Sequence, residues 1–322
     1  MKESLLDSTD KLHIFTGTSH PALASEIAEY IGQEVCDATV RRFNNGEIQV
    51  MLGDNVRGKH VFVLQSFSHP VNEMIMELLI MIDALKRASA TSVTAVIPYY
   101  AYSRRDQKIH DRDPITAKLL ANMISAAGAD RIISLNLHSG QLEGFFDIPV
   151  EHLFSEHVMT PYIKKFFGDY TDELVVVSPD MAGTPRARHI AHLLDCPMAI
   201  LDRRRPKPDI AVIVDIVGDV KGKNALLVDD VIDTAGSLVE GAKALKEAGA
   251  KGIYAACTHA VLSGDAMEQL ENSNIEKVIV TDSIFWDQGK MTDKIKTVKI
   301  APYLGEAILR IFREQSIAKM YD

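Results

Sequence analysis

The 322-residue chain has three cysteines, one tryptophan and no excess of positive charge. Cys36, Cys196 and Cys257 lack metal-ligand spacing and stand in apolar surroundings. They read as buried free thiols in a reducing compartment, not as a disulfide scaffold. A net charge of −9 removes the broad attraction that nucleic-acid binding needs. The longest apolar stretch, residues 74–85, is broken by Glu77 and Asp83 and is short for a membrane span. Residues 1–10 show no signal-peptide apolar region, so the expectation is a cytoplasmic protein without membrane or nucleic-acid partners. Low-complexity segments and long linkers are absent as well.

What the chain does have is alternation. Short β-rich runs at 12–16, 60–65, 92–98, 131–135, 174–178, 198–201, 225–228, 252–258 and 277–280 alternate with helical patterns. The helical patterns cover 21–31, 71–88, 115–127, 184–194, 236–248 and 306 to about 320. Near-continuous apolar strands are the mark of parallel sheets covered on both faces. The alternation predicts an α/β fold of two similar doubly wound domains with mainly parallel sheets. Apolar periodicity weakens between 154 and 171, which places a division at 1–156 and 157–322.

The segment 225–238 carries the most chemistry. An apolar strand ends on Asp229 and Asp230, Asp233 follows, and Thr234, Ala235, Gly236 and Ser237 open an amphipathic helix. Backbone N–H groups, two hydroxyls and a helix N-terminus converge where an anion would sit. Gly236 permits close approach of a ligand to the backbone. Helix capping alone would explain one Asp or Thr. Three carboxylates beside a phosphate cradle fit a ligand with hydroxyls or a metal ion next to its phosphate, such as a sugar phosphate.

Four further segments stand at strand ends, where α/β proteins bind ligands. Residues 98–118 alternate Tyr99, Tyr100 and Tyr102 with Arg104, Arg105, Lys108 and Arg112. A solvated loop is the plain reading of such a run; a polyphosphate clamp is the sharper one, because guanidinium forks match phosphate oxygens. His138 lies just past a strand, with Asp147 and Glu151 nearby as possible partners for a divalent cation. Asp180 stands at another strand-to-helix turn. The basic run 203–207 reads either as a surface patch or as a flap closing over an anionic substrate.

In this order the segments resemble ribose-phosphate diphosphokinases, the PRPP synthetases, whose fold is that of the type I phosphoribosyltransferases. The resemblance rests on residues 42–48, 102–108, 137–149, 178–180 and 228–237, and covers nearly the whole chain. It implies transfer of the β,γ-diphosphate of MgATP to the 1-hydroxyl of ribose 5-phosphate, giving PRPP and AMP. By the same resemblance Phe43, Asn45 and Glu47 contact adenine, while Arg104, Arg105 and Asp106 complete the ATP site. Asp229 and Asp230 hold the ribose hydroxyls, and Asp233, Thr234, Ala235, Gly236 and Ser237 wrap the 5-phosphate. Mg²⁺ is the implied cofactor, with His138, Asn136 and Asp180 as its ligands. Arg203 and Arg205, with His138, make up the catalytic set. A homo-oligomer, hexameric or dimer-based, is implied too.

The sequence departs from the family pattern at several points. Asn136 stands where Asp is usual, Arg203 where Lys is usual, and Glu151, Arg105 and Pro185 are milder changes. These leave a second reading, a catalytically weak or regulatory paralogue that binds ligands without efficient turnover. A phosphoribosyltransferase that consumes PRPP is a third reading; the length of the chain and the segments 43–47 and 102–108 argue against it.

Overall fold

The computed structural model describes residues 10–207, 210–287, 289 and 291–321; for 169, 170, 172, 203–207 and 210–214 it describes the main chain alone. The chain divides into two units. The first contains residues through Phe154 together with Ser283–Phe285 and Ile300 onward, and the second contains Ser155–Asp282 and Trp286–Lys299.

The first unit begins with β1 (Leu12–Thr16), α1 (Pro21–Ile31), β2 (Ala38–Arg42), β3 (Ile48–Leu52), β4 (His60–Leu64) and α2 (Val71–Arg87). It continues with β5 (Ser92–Ile97), α3 (Thr116–Ala127), β6 (Arg131–Leu135) and β7 (Val150–Leu153). Helix α1 starts cleanly because Pro21 suits the first turn and His20 Nδ1 accepts the Leu23 N–H at 3.1 Å. It stops at Gly32, whose φ of 78° few other residues adopt at low cost. Five strands pair in the order β1-β4-β5-β6-β7, all parallel. A parallel bridge from Ile14 to Val35 lies on the other side of β1, so the strand order reverses at β1 and β4. β2 and β3 form a separate antiparallel hairpin, which the expected strands did not include.

The second unit holds α4 (Glu156–Phe167), β8 (Leu174–Ser178), α5 (Thr184–Leu194), β9 (Met198–Lys207), β10 (Ile210–Val217) and β11 (Asn224–Ile232). After these come α6 (Gly236–Glu247), β12 (Gly252–Ala260), α7 (Ala266–Glu271), β13 (Lys277–Thr281) and β14 (Ile295–Val298). Seven strands run in the order β10-β9-β8-β11-β12-β13-β14, and only β10 is antiparallel to its neighbour. The chain winds outward from β8 through β9 and returns to β8's other side as β11. That reversal is the crevice where doubly wound sheets bind ligands.

Both faces of this sheet are covered, as the continuous apolar strands require. Leu226 and Val228 join Ile190, Ala191 and Leu194 of α5 in one core layer. Ala225 and Leu227 join Leu238, Ala242 and Leu245 of α6 in the other. The period of two along β11 thus divides its side chains between the layers.

Three further differences from the sequence expectation concern the basic run, the acidic strand and the C-terminal segment. β9 runs on through the basic residues to Lys207 and pairs with β10, with Arg203 opposite Ile213. The basic run is therefore one arm of a hairpin. β11 extends to Ile232, so Asp229 and Asp230 are strand residues. Finally, residues 300–322 cluster with the first unit, although the sequence division gave them to the second. They form α8 (Ala301–Phe312) and a short 3-10 turn at Ile317–Met320, in place of one helix from 306. Pro302 explains the earlier start, since it fits only the first turn. α8 packs on α1.

Candidate functional site

In the second unit, strand β11 delivers the acidic pair. Asp230 continues the row of Leu226 and Val228 and is only 3% exposed, while Asp229 is half-buried. Arg186, in the first turn of α5, reaches both: its Nη1 lies 3.2 Å from Asp229 Oδ1 and 3.1 Å from Asp230 Oδ1. Asp229 Oδ1 also accepts the Asp230 N–H at 2.9 Å. Burial, and then the charge of Asp230, push the Asp229 carboxyl up to about 7, with Arg186 pulling the other way.

Beyond the pair the chain turns into α6 through Ala235, which holds φ at 64°. A left-handed alanine costs about 1–2 kcal/mol, and such strain clusters at ligand-binding turns. The N-terminus of α6 has no side-chain cap, so its first N–H groups are left to another acceptor. Thr234 and Ser237 are exposed beside it. A Cβ placed on Gly236 would meet nothing nearer than Gln269 Oε1 at 3.9 Å, and its φ is not left-handed. Neither packing nor backbone demands glycine there, so the space it leaves is available to a ligand. Asp233 differs from its neighbours. It accepts a hydrogen bond from Ser263 Oγ, and its carbonyl accepts the Ser263 N–H at 3.0 Å, which ties the turn to the loop after β12.

On neighbouring β8, the chain turns at Asp180. Its Oδ1 accepts the Gly183 N–H at 3.0 Å, and Ser178 Oγ donates to its carbonyl at 2.7 Å. The β8 and β11 ends are adjacent, with Leu227 paired to Val177. Asp180, Asp229 and Asp230 thus stand at one end of the reversal. The side chains of Arg203 and Arg205 lie outside the described residues.

In the first unit, Phe43, Asn45 and Glu47 occupy the exposed tip of the β2–β3 hairpin. Asn45 Oδ1 accepts the Glu47 N–H at 3.1 Å and the Phe43 N–H bonds the Glu47 carbonyl at 2.9 Å. Gly46, at φ 91°, closes the turn. An Asn-Gly turn between alternating strands is a hairpin signature, and it was present in the sequence.

Arg104 and Arg105 are exposed, as a clamp requires, but Tyr99 and Tyr100 are core residues. Tyr100 donates its hydroxyl to the Ala117 carbonyl at 3.1 Å. Asp106 is also turned inward, where Oδ2 accepts from Ser139 Oγ at 2.7 Å and Gln141 Nε2 at 3.0 Å. It braces the arginine loop against the loop after β6. In that second loop Asn136 is buried with φ at 40°, a conformation Asn tolerates better than most residues, and His138 is exposed. The sequence pattern missed His152 on β7, whose Nε2 accepts the Leu137 N–H at 3.0 Å and whose Nδ1 pairs with Glu143 at 2.7 Å. Glu151 pairs with Arg131.

Among the described residues no group of three or more His, Cys, Asp or Glu could hold a metal ion. His138 and Asn136 belong to the first unit and Asp180 to the second. Such a sparse donor set does not suit a resident metal cage. It suits a hard ion that arrives on phosphate oxygens and keeps much of its water. Among the described residues no helix is long and apolar enough to cross a membrane. Cys257 is buried as expected, while Cys36 and Cys196 are only partly so, and all three are free.

Residues 12–128 match the family model for the N-terminal domain of ribose phosphate pyrophosphokinase, and residues 172–322 match the phosphoribosyl synthetase-associated domain. A ribose-phosphate pyrophosphokinase of Caldanaerobacter subterraneus subsp. tengcongensis is 53% identical over 97% of this chain and 98% of its own. One from Clostridium acetobutylicum is 50% identical over 99% of both chains. The crystal structure of phosphoribosylpyrophosphate synthetase from Mycobacterium smegmatis superposes with a TM-score of 0.89 at 41% identity, covering 94% of this chain and 99% of that one.

Proposed function

The chain belongs to the ribose-phosphate pyrophosphokinase family, and we propose that it transfers the β,γ-diphosphate of ATP to the 1-hydroxyl of ribose 5-phosphate, giving PRPP and AMP. One observation of this chain carries the reading. A strand carrying two carboxylates near its end leads into an uncapped helix N-terminus with open space over Gly236, at the reversal of a parallel sheet. Carboxylates accept hydrogen bonds from vicinal hydroxyls, and helix-terminal N–H groups donate to phosphate, so one sugar phosphate satisfies both.

The reaction asks little covalent chemistry of the protein. Positioning and the neutralisation of developing charge are the main work. Asp229 and Asp230 orient the ribose through its hydroxyls. The N–H groups of residues 234–237, with the Thr234 and Ser237 hydroxyls, hold the 5-phosphate, while Asp233 fixes the turn through Ser263. Arg104 and Arg105 pair with the nucleotide's phosphates, Phe43 stacks on adenine, and Asn45 and Glu47 set its orientation. Asp106 serves that site as a brace. In the first unit His138 and Asn136 would meet a Mg²⁺ delivered with ATP, where the ion would supply positive charge to the phosphate oxygens; in the second unit Asp180 would meet a Mg²⁺ near the sugar. Arg203 and Arg205 on the β9 hairpin arm supply further positive charge to the transferring group. Cytoplasmic residence and assembly into a homo-oligomer, hexameric or dimer-based, belong to the same reading.

The test is an assay of purified protein with ribose 5-phosphate, ATP and Mg²⁺, following AMP and PRPP together. Equal appearance of the two products is expected. Absence of AMP while calorimetry still registers ribose 5-phosphate or ATP binding would replace this reading with a ligand-binding paralogue.

A further inference from the structure

Arg186 has no role in the assignments above, and its placement is costly. It stands in the first turn of α5, the end at which the helix dipole disfavours a cation. Its side chain is only 17% exposed, so its charge has lost most of its hydration. Burial opposes the charge on Arg186; Asp230, then Asp229, then Glu156 at the start of α4 outweigh it, with Cys257 of β12 the last group facing it. The contacts at 3.2 and 3.1 Å both come from one nitrogen, Nη1. Adjacent buried carboxylates cannot both stay ionised without a cation, because like charges and desolvation each favour taking up a proton. A protonated partner would donate a hydrogen bond where the sugar also donates.

We propose that Arg186 is the positioning residue of the ribose site, holding Asp229 and Asp230 together as acceptors for the ribose hydroxyls without touching the sugar itself. The inference rests on the reading that this pair binds those hydroxyls. It assigns the Arg186 charge to substrate geometry, since a buried ion pair adds little net stability over apolar packing.

The experiment compares Arg186→Met and Arg186→Lys with the parent chain. Arg186→Met is expected to raise the KM for ribose 5-phosphate about tenfold or more near pH 7, through the stranded carboxylates. The KM for ATP should stay within about twofold, as for a site without shared partners. The acidic limb of kcat/KM for ribose 5-phosphate should move to higher pH. Arg186→Lys should recover most of the loss, because one ammonium can replace the one nitrogen in use. A folded Arg186→Met with unchanged ribose 5-phosphate KM and pH profile overturns the proposal, as does a Lys variant no better than Met. Should Arg186→Met melt too low to assay, Arg186→Met/Asp230→Asn decides: neutralising one carboxylate must recover melting temperature, and no recovery overturns the proposal. Asp230→Asn alone separates the two levels. An unchanged KM there removes the sugar reading itself, whereas a raised KM there with none in Arg186→Met removes only the role of Arg186.

Discussion

Asp229 shows how a single side chain ties stability to binding. Burial and the neighbouring Asp230 raise its pKa to about 7, well above that of an unfolded aspartate. Between about pH 4 and pH 7 the folded chain therefore holds a proton that the unfolded chain has released. Stability of the free protein should fall as pH rises through that window and level off above it. Binding of ribose 5-phosphate should strengthen over the same window, because the ionised pair is the better acceptor. Melting temperature against pH, compared between the parent and Asp229→Asn, checks this: the slope should be present in the parent and largely gone in the variant. Equal slopes would mean that another group titrates. None of this coupling was legible in the sequence, which showed the aspartates but not Arg186. The clue was a cation in the first turn of a helix, against the dipole, following a strand that ends near Asp180. The partners of Asp106 were equally hidden: Ser139 and Gln141, which donate to its carboxylate, are distant in sequence.

At the scale of elements, the turn from β11 into α6 separates what folding needs from what binding needs. Gly236 opens the helix with ordinary φ and no close neighbour. Gly236→Ala should leave the free protein as stable or raise it by up to about 1 kcal/mol, through a less flexible unfolded chain. The same methyl group projects into the space proposed for the 5-phosphate, so the KM for ribose 5-phosphate should rise several-fold while the KM for ATP holds. Thermal melting and steady-state kinetics on one preparation test both halves; lowered stability with intact KM would relocate the phosphate. Elements with continuous apolar cores were readable from sequence. The expected spans 12–16, 131–135, 174–178, 21–31 and 184–194 coincide with β1, β6, β8, α1 and α5. Several missed elements lack that signature, though β10, with its mostly apolar run Ile210–Val217, has it and was missed all the same. β2 has no buried residue, β14 is four residues long, and α4 carries Pro161 inside it, which reads as a break.

At the scale of the molecule, the chain crosses back to its first unit at the end, and local periodicity cannot reveal that. Periodicity identifies an apolar helix face but not which surface receives it. The strongly amphipathic pattern after residue 300 required a partner, and α1 supplies it. Leu304, Ala307 and Ile308 are fully or nearly fully buried, with Tyr303 and Leu309 at most 9% exposed. Full burial of side chains of this size is worth about 1.5–3 kcal/mol each. Several together rival the roughly 5–15 kcal/mol that holds a whole domain folded. A chain ending at Lys299 should therefore lose the first unit's packing, though the division drawn from sequence would have charged that loss to the second. The expected signs are binding of a hydrophobic dye, new protease cleavage within residues 12–153, and loss of ATP binding. Because the proposed nucleotide contacts at Phe43, Arg104 and Arg105 all belong to that unit, a truncated chain that still bound ATP with parental affinity would show that α8 is dispensable to the unit it covers. That result would also shift the stabilising role onto the five-stranded sheet and its own helices α1 to α3.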